Sequence, residues 1–106
     1  MSFSELSTAQ FRQKLSQTNG LLLDVRSYEE YEEKHIEGSL LIPLDELELR
    51  VEELSAYRHE PVLIYCKAGV RSFYAGSFLV ESGFSNVSHL LPGILGWIND
   101  GNPVVH

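Results

Sequence analysis

Three features of this 106-residue chain predict an α/β fold built on a parallel sheet. Short apolar runs recur at residues 21–25, 39–42, 62–65 and 86–90. Helix-start signals and helical apolar spacing stand between them, and glycine, proline or asparagine punctuates the joins. Strands that alternate with helices form parallel sheets covered on both faces. In such sheets ligands sit at the C-terminal ends of the strands.

Each element has its own signature. Ser7-Thr8-Ala9-Gln10 has capping-box spacing, and Leu6 with Phe11 would supply the hydrophobic staple, so a helix starts near Thr8. Asn19-Gly20 is its stop. Leu21-Leu22-Leu23-Asp24-Val25 reads as a buried strand. Ser27-Tyr28-Glu29-Glu30 is a second capping box whose glutamates also suit the helix dipole. That helix runs to about Lys34 and stops before Gly38. Residues 39–42 form a short strand ended by Pro43. Leu44, Leu47, Val51 and Leu54 then lie on one apolar helix face, with Glu46, Glu48, Glu52 and Glu53 on the others. Residues 62–65 form the next strand, followed by a loop from Cys66 to Arg71 and a helix from Ser72 to about Ser82, closed by Gly83. A weaker strand at 86–90 precedes a last short helix through Ile94, Leu95, Trp97 and Ile98, which ends near Gly101 and Pro103.

Bulk composition narrows the function classes. With 43% apolar and 22% charged residues the chain has globular composition, and its length suits one domain, 1–106. Such a chain buries a core without disulfides, and its one cysteine cannot form an internal one. That usage fits a reducing compartment. Residues 1–5 lack the charged and apolar pattern of a secretory leader, and no apolar run reaches membrane-spanning length. A soluble, cytoplasmic protein is expected. The net charge of −7 is concentrated in residues 27–60, where eleven acidic groups face three basic ones. Without a basic stripe, nucleic acid is not expected as a partner. The acidic block is a solvated helix surface or a docking face for a protein partner.

The chemistry centres on Cys66. It follows the apolar run Val62-Leu63-Ile64-Tyr65 and precedes a helix start, with Lys67 and Arg71 in the intervening loop. A free thiol is mostly protonated at neutral pH. A helix N-terminus contributes up to about 2 kcal/mol toward an anion, and neighbouring cations add to it. Charges far along the chain are screened over about 8 Å. Gly69 can adopt positive φ, which turns successive N–H groups inward as an anion-binding nest. Lys67 and Arg71 at the rim would complete a small positive cup. Arg71 sits where the dipole disfavours a cation, which suggests another use for it. The bland alternative is a cysteine that serves as a small buried hydrophobe. Lys67, Gly69, Arg71 and Ser72 in this order weigh against it.

These pieces together resemble the rhodanese (sulfurtransferase) family. The likeness rests on Asp24-Val25-Arg26, on Tyr31 through His35-Ile36-Glu37-Gly38-Ser39 to Ile42-Pro43, and on residues 62–65 with the loop 66–71 and Ser72. It continues through Leu91-Pro92-Gly93, Trp97, Gly101 and Pro103. The resemblance covers nearly the whole chain and implies a rhodanese-like fold, a five-stranded parallel sheet with helices on both faces. It implies that Cys66 accepts a sulfane sulfur as a persulfide and passes it to a second nucleophile. Lys67, Ala68, Gly69, Val70, Arg71 and Ser72 would then form the sulfur-binding loop. A small anionic donor and a thiol or cyanide acceptor follow as partners, with no cofactor or metal. Ser39 and Pro92 depart from the family's commonest residues, alanine and glycine.

Asp24 and Arg26 either support the loop from a neighbouring strand end or form a buried ion pair that holds a turn, the reading favoured here. His35 is expected to fix a turn, and Trp97 to anchor the core. His59, His89 and His106 show no metal-ligand spacing. Two other classes compete with the sulfurtransferase. One is a sulfur-relay module with little turnover of free donors. The other is a phosphatase, which the loop length opposes: four residues separate Cys66 from Arg71, and rhodanese-fold phosphatases have five.

Overall fold

The computed structural model describes residues 3–106. Its strands are β1 (Ser4–Leu6), β2 (Leu21–Asp24), β3 (Leu40–Leu41), β4 (Val62–Tyr65) and β5 (Val87–Leu90). Its helices are α1 (Thr8–Ser16), α2 (Tyr28–Glu33), α3 (Leu44–Arg50), α4 (Val70–Glu81) and α5 (Gly93–Asn99). The strands pair in the order β1-β5-β4-β2-β3, and every pairing is parallel. This is the five-stranded rhodanese-like sheet that the resemblance implied. The expected lack of a leader pattern over residues 1–5 rests in part on Met1 and Ser2, which lie outside the described residues.

Both faces of the sheet are buried, so β2 and β4 read as continuous apolar runs. Side chains alternate between two cores. Leu23, Val25, Ile64 and Cys66 pack with Leu47, Leu54, Ala75 and Leu79. Leu22, Leu63, Tyr65 and Leu90 pack with Phe11, Ile94 and Trp97. Each core removes large apolar side chains from water, worth roughly 1.5–3 kcal/mol apiece before entropy is counted.

Local signals act as the sequence predicts at two helix starts. The Ser7 and Ser27 hydroxyls accept from the Gln10 and Glu30 amides, and both boxes close reciprocally. The helix predicted from Leu44 through Leu54 is instead divided. α3 ends at Arg50, and a 3-10 helix runs Val51–Tyr57. Val51, Leu54 and Tyr57 recur every three residues, the 3-10 period, and all three pack against one core. α4 begins two residues earlier than Ser72, because Gly69 takes φ +92° and caps it. β1 carries no apolar run and so has no signature in its own residues. It pairs at the sheet edge with β5, Glu5 beside His89.

Candidate functional site

β4 delivers Cys66 to the C-terminal end of the sheet, next to the N-terminus of α4. Its Sγ accepts the Gly69 N–H at 3.1 Å and the Ser72 N–H at 3.3 Å, and lies 3.3 Å from Ser72 Oγ. These are the loop and first-turn donors that a helix start leaves unpaired. The loop is held from behind by α5. Ile94 N–H bonds the Cys66 carbonyl at 2.8 Å, and Leu95 N–H bonds the Lys67 carbonyl at 3.2 Å. With its carbonyls fixed outward, the loop presents amides inward. Gly69 and Gly93 permit this approach: a Cβ on the first would lie 2.0 Å from Leu91 O, and on the second 2.1 Å from Lys67 O. Pro92, where the family commonly has glycine, fits because its own φ is −82° and the left-handed residue is Gly93.

The geometry corrects the expected open cup. Cys66 is 1% exposed, and neither flanking cleft is lined by its sulfur. One cleft is walled by Lys67 with Arg26, Lys34 and Leu95. The other, about 330 Å³, runs beside Arg71, Arg26 and Leu44. Lys67, Ala68 and Val70 are exposed on the loop's outer side. The sulfur is thus covered and does not form the floor of either cleft.

Arg71 does not face the thiol as a free cation. Its guanidinium pairs bidentately with Glu30 of α2, at 2.7 and 3.0 Å. The Arg71 hydrogen bonds, joined by the Ser27 amide and hydroxyl, hold the Glu30 carboxyl down at about 2. Part of the acidic face is likewise paired. Glu30 is committed to Arg71, Glu46 and Glu53 to Arg50, and Glu52 to Arg58. Because the folded Glu30 pKa is depressed, its contribution is complete above the unfolded value and fades as pH falls toward 2. Glu30→Gln keeps the capping acceptor and removes the charge. We expect it to cost about 1 kcal/mol at pH ~7, discounted because the pair is part-exposed. Urea denaturation of the two proteins should converge as pH drops from ~4.5 toward ~2; a constant gap would refute the assignment.

Asp24 and Arg26 form the buried pair. Asp24 is 0% and Arg26 4% exposed, and Arg26 Nη2 lies 2.7 Å from Oδ2. The Arg26 backbone N–H also bonds Oδ1, and Nη2 reaches the Lys34 carbonyl. The pair therefore ties the end of β2 to the end of α2. Arg26 also stacks over Tyr65 and borders both clefts. Ser39, which departs from the family's usual alanine, bonds the Tyr65 hydroxyl at 3.1 Å. Burial, with Asp24 nearby, raises the Tyr65 hydroxyl pKa.

Among the histidines, His35 fixes its turn through the Tyr31 carbonyl and stacks on the Tyr31 ring. Trp97 is a core anchor whose Nε1–H bonds the Pro103 carbonyl. His59 meets Ser85 Oγ, and His106 meets the Glu33 carbonyl. His89 is the residue whose place in the site the sequence did not show. It is fully buried, 2.8 Å from Ser72 Oγ and 3.0 Å from Glu5 Oε2. Its signal was positional: it shares a sheet face with Val87, toward α4.

A parallel order of β1-β5-β4-β2-β3, with a cysteine loop capped by a helix at the end of the central strand, defines the rhodanese class of α/β domains. The chain belongs to that family: the Rhodanese-like domain matches residues 7–100. It is 39% identical over 97 residues to YrkF of Bacillus subtilis, named as a candidate sulfur carrier protein, covering 91% of this chain and 51% of YrkF. It is 32% identical over 103 residues to a sulfurtransferase of Allochromatium vinosum, covering 96% and 94%. The crystal structure of a rhodanese-related protein from Thermoplasma volcanium superposes with a TM-score of 0.85 at 29% identity, over 96% of this chain and 97% of that one. The chain thus spans about half of one relative and nearly all of the other.

Proposed function

We propose that the protein is a sulfurtransferase that moves a sulfane sulfur from a small anionic donor such as thiosulfate, or from polysulfide or a protein persulfide, to a thiol or cyanide. The observation that carries this reading is the pair of N–H groups, from Gly69 and Ser72, aimed at Cys66 Sγ. These donors favour a thiolate and, after transfer, a persulfide anion. With thiosulfate, the Cys66 thiolate attacks the outer sulfur, a new S–S bond forms, and the bond to sulfite breaks with its electron pair. The acceptor's nucleophile then attacks the outer sulfur of the persulfide and restores the thiolate. Lys67 and Lys34 border the cleft through which an anionic donor would arrive. Ala68, Val70 and Arg71 shape the loop from outside. The four-residue gap between Cys66 and Arg71 favours one sulfur atom over a tetrahedral phosphate. A lone free thiol fits a reducing, cytoplasmic setting, and no helix among the described residues is long and apolar enough to cross a membrane.

A sulfur-relay role shares the same intermediate, and a specific observation favours a protein as partner. Val70, Leu91 and Leu95 stand exposed around the loop, an apolar fringe more useful to a protein surface than to cyanide. Incubation with thiosulfate should add one sulfur atom by intact mass, removed again by cyanide. Cys66→Ser should show no adduct. An unmodified wild type under reductant-free conditions, or an adduct on Cys66→Ser, would overturn the reading.

A further inference from the structure

Four side chains form one continuous hydrogen-bonded line from the buried sulfur to the surface. Cys66 Sγ donates to Ser72 Oγ at 3.3 Å, and Ser72 Oγ meets His89 Nδ1 at 2.8 Å. His89 Nε2 meets Glu5 Oε2 at 3.0 Å. Cys66, Ser72 and His89 are at most 1% exposed, whereas Glu5 is 34% exposed. Three separate elements supply the links after the sulfur: α4, β5 and β1.

Chemistry fixes the direction of the line. A carboxylate oxygen only accepts, so Nε2 carries the ring proton. In the neutral imidazole Nδ1 then holds a lone pair and accepts the Ser72 hydroxyl proton. That leaves the Ser72 oxygen lone pairs free for the thiol. All three bonds point the same way, from sulfur to carboxylate. Phe3 and Phe73 set ring edges against the imidazole, at centroid distances of 5.7 and 6.1 Å. Among the described residues, the charged or titratable groups facing this line are Glu5 from β1 and, beside the thiol, Arg71 from α4, itself paired with Glu30. Lys14 of α1 bonds neighbouring Ser88, which points to the opposite face.

We infer that Ser72, His89 and Glu5 are a built-in proton acceptor for Cys66, so that the thiol ionises by passing its proton inward along the line. The Cys66 proton moves to Ser72 Oγ as the Ser72 hydroxyl proton moves to His89 Nδ1. The Nε2 proton stays in place. A neutral thiol and a neutral imidazole become a thiolate and an imidazolium, with the Glu5 carboxylate against the new cation. No net charge is created and no co-reactant is consumed. Ser72 touches the reacting atom; His89 and Glu5 act through it as positioning residues, in the manner of a nucleophile, base and orienting acid. The line also explains how a sulfur this buried can ionise without bulk water at hand. The inference rests on the sulfur-transfer reading for its purpose, though thiol ionisation is measurable without any sulfur donor.

The test is the pH dependence of Cys66 alkylation by iodoacetamide, in the folded protein, for wild type, Glu5→Gln, His89→Asn and Ser72→Ala. Circular dichroism confirms that each is folded, and the part-exposed Glu5→Gln does not depend on repacking. Glu5→Gln should raise the alkylation midpoint by about half a unit. His89→Asn keeps a polar partner for Ser72 but cannot take a proton, and should raise it by about one unit, a tenfold lower rate at neutral pH. Ser72→Ala should match His89→Asn, and the double variant should go no further, because both cut one line. Unmoved midpoints in folded Glu5→Gln and His89→Asn would overturn the inference, as would fully additive shifts in the double variant. Shifted midpoints in a protein that gains no sulfur from thiosulfate would sustain the proton line while removing the sulfurtransferase.

Discussion

Gly93→Ala is expected to abolish most sulfur transfer although Gly93 lies outside the cysteine loop. The new Cβ would sit 2.1 Å from Lys67 O, 2.3 Å from Lys67 C and 2.5 Å from Ala68 N, all backbone atoms of the loop. None of these can swing away as a side-chain tip would. The φ of +69° adds strain for any L residue. The loop must therefore retreat from α5, and the Ile94 and Leu95 N–H bonds to its carbonyls go with it. Those bonds keep the loop amides on the sulfur. A displacement of about 1 Å at a reacting centre costs on the order of 100-fold in rate, and we expect at least that in single-turnover persulfide formation. Stability should fall by about 2–3 kcal/mol in urea. Gly69→Ala should behave alike, because its Cβ would meet Leu91 O at 2.0 Å with φ +92°. A folded Gly93→Ala that forms persulfide at the wild-type rate would show that the α5 buttress does not set the loop.

How much of this was legible in the chain depends on whether the signal was local. Ser7-Gln10 and Ser27-Glu30 announce their helices because a capping box is complete within four residues. Residues 62–65 and Cys66 announce a strand end because a strand buried on both faces must be apolar throughout. β1 was silent, since Ser4-Glu5-Leu6 becomes a strand only by pairing with β5, more than eighty residues away. Arg71 was legible as misplaced against the helix dipole, but its partner Glu30 lies 41 residues earlier and no spacing rule reaches it. His89 was hidden for the same reason. Its partners, Ser72 and Glu5, come from a helix packed on the sheet and from the strand beside β5, and meet only after the sheet is ordered. Capping boxes and apolar runs are written in neighbouring residues, whereas the contacts around the thiol are written in topology.

Asp24→Ala is expected to produce the largest loss of stability, about 3–5 kcal/mol, because it strands a guanidinium that is 4% exposed. Three Arg26 donors currently end on the Asp24 carboxylate: the backbone N–H, Nε and Nη2, at 2.7 to 3.1 Å. The surviving bond from Nη2 to the Lys34 carbonyl satisfies one proton but no charge. Domains of this size have only about 5–15 kcal/mol in hand, so the variant should unfold at far lower urea. Removing both charges should be milder than removing one. In Asp24→Ala/Arg26→Met an apolar side chain replaces the buried cation, and paired deletions of this kind are often near neutral. The same variants separate the two roles that the sequence left open for this pair. If it only ties β2 to α2, the folded fraction of the double variant should form persulfide at nearly the wild-type rate. If Arg26 also serves the donor, from its place on both clefts, the double variant should recover stability while donor saturation shifts to higher thiosulfate. Loss of less than about 1 kcal/mol in Asp24→Ala would mean that water reaches the guanidinium and that the turn is held by other contacts.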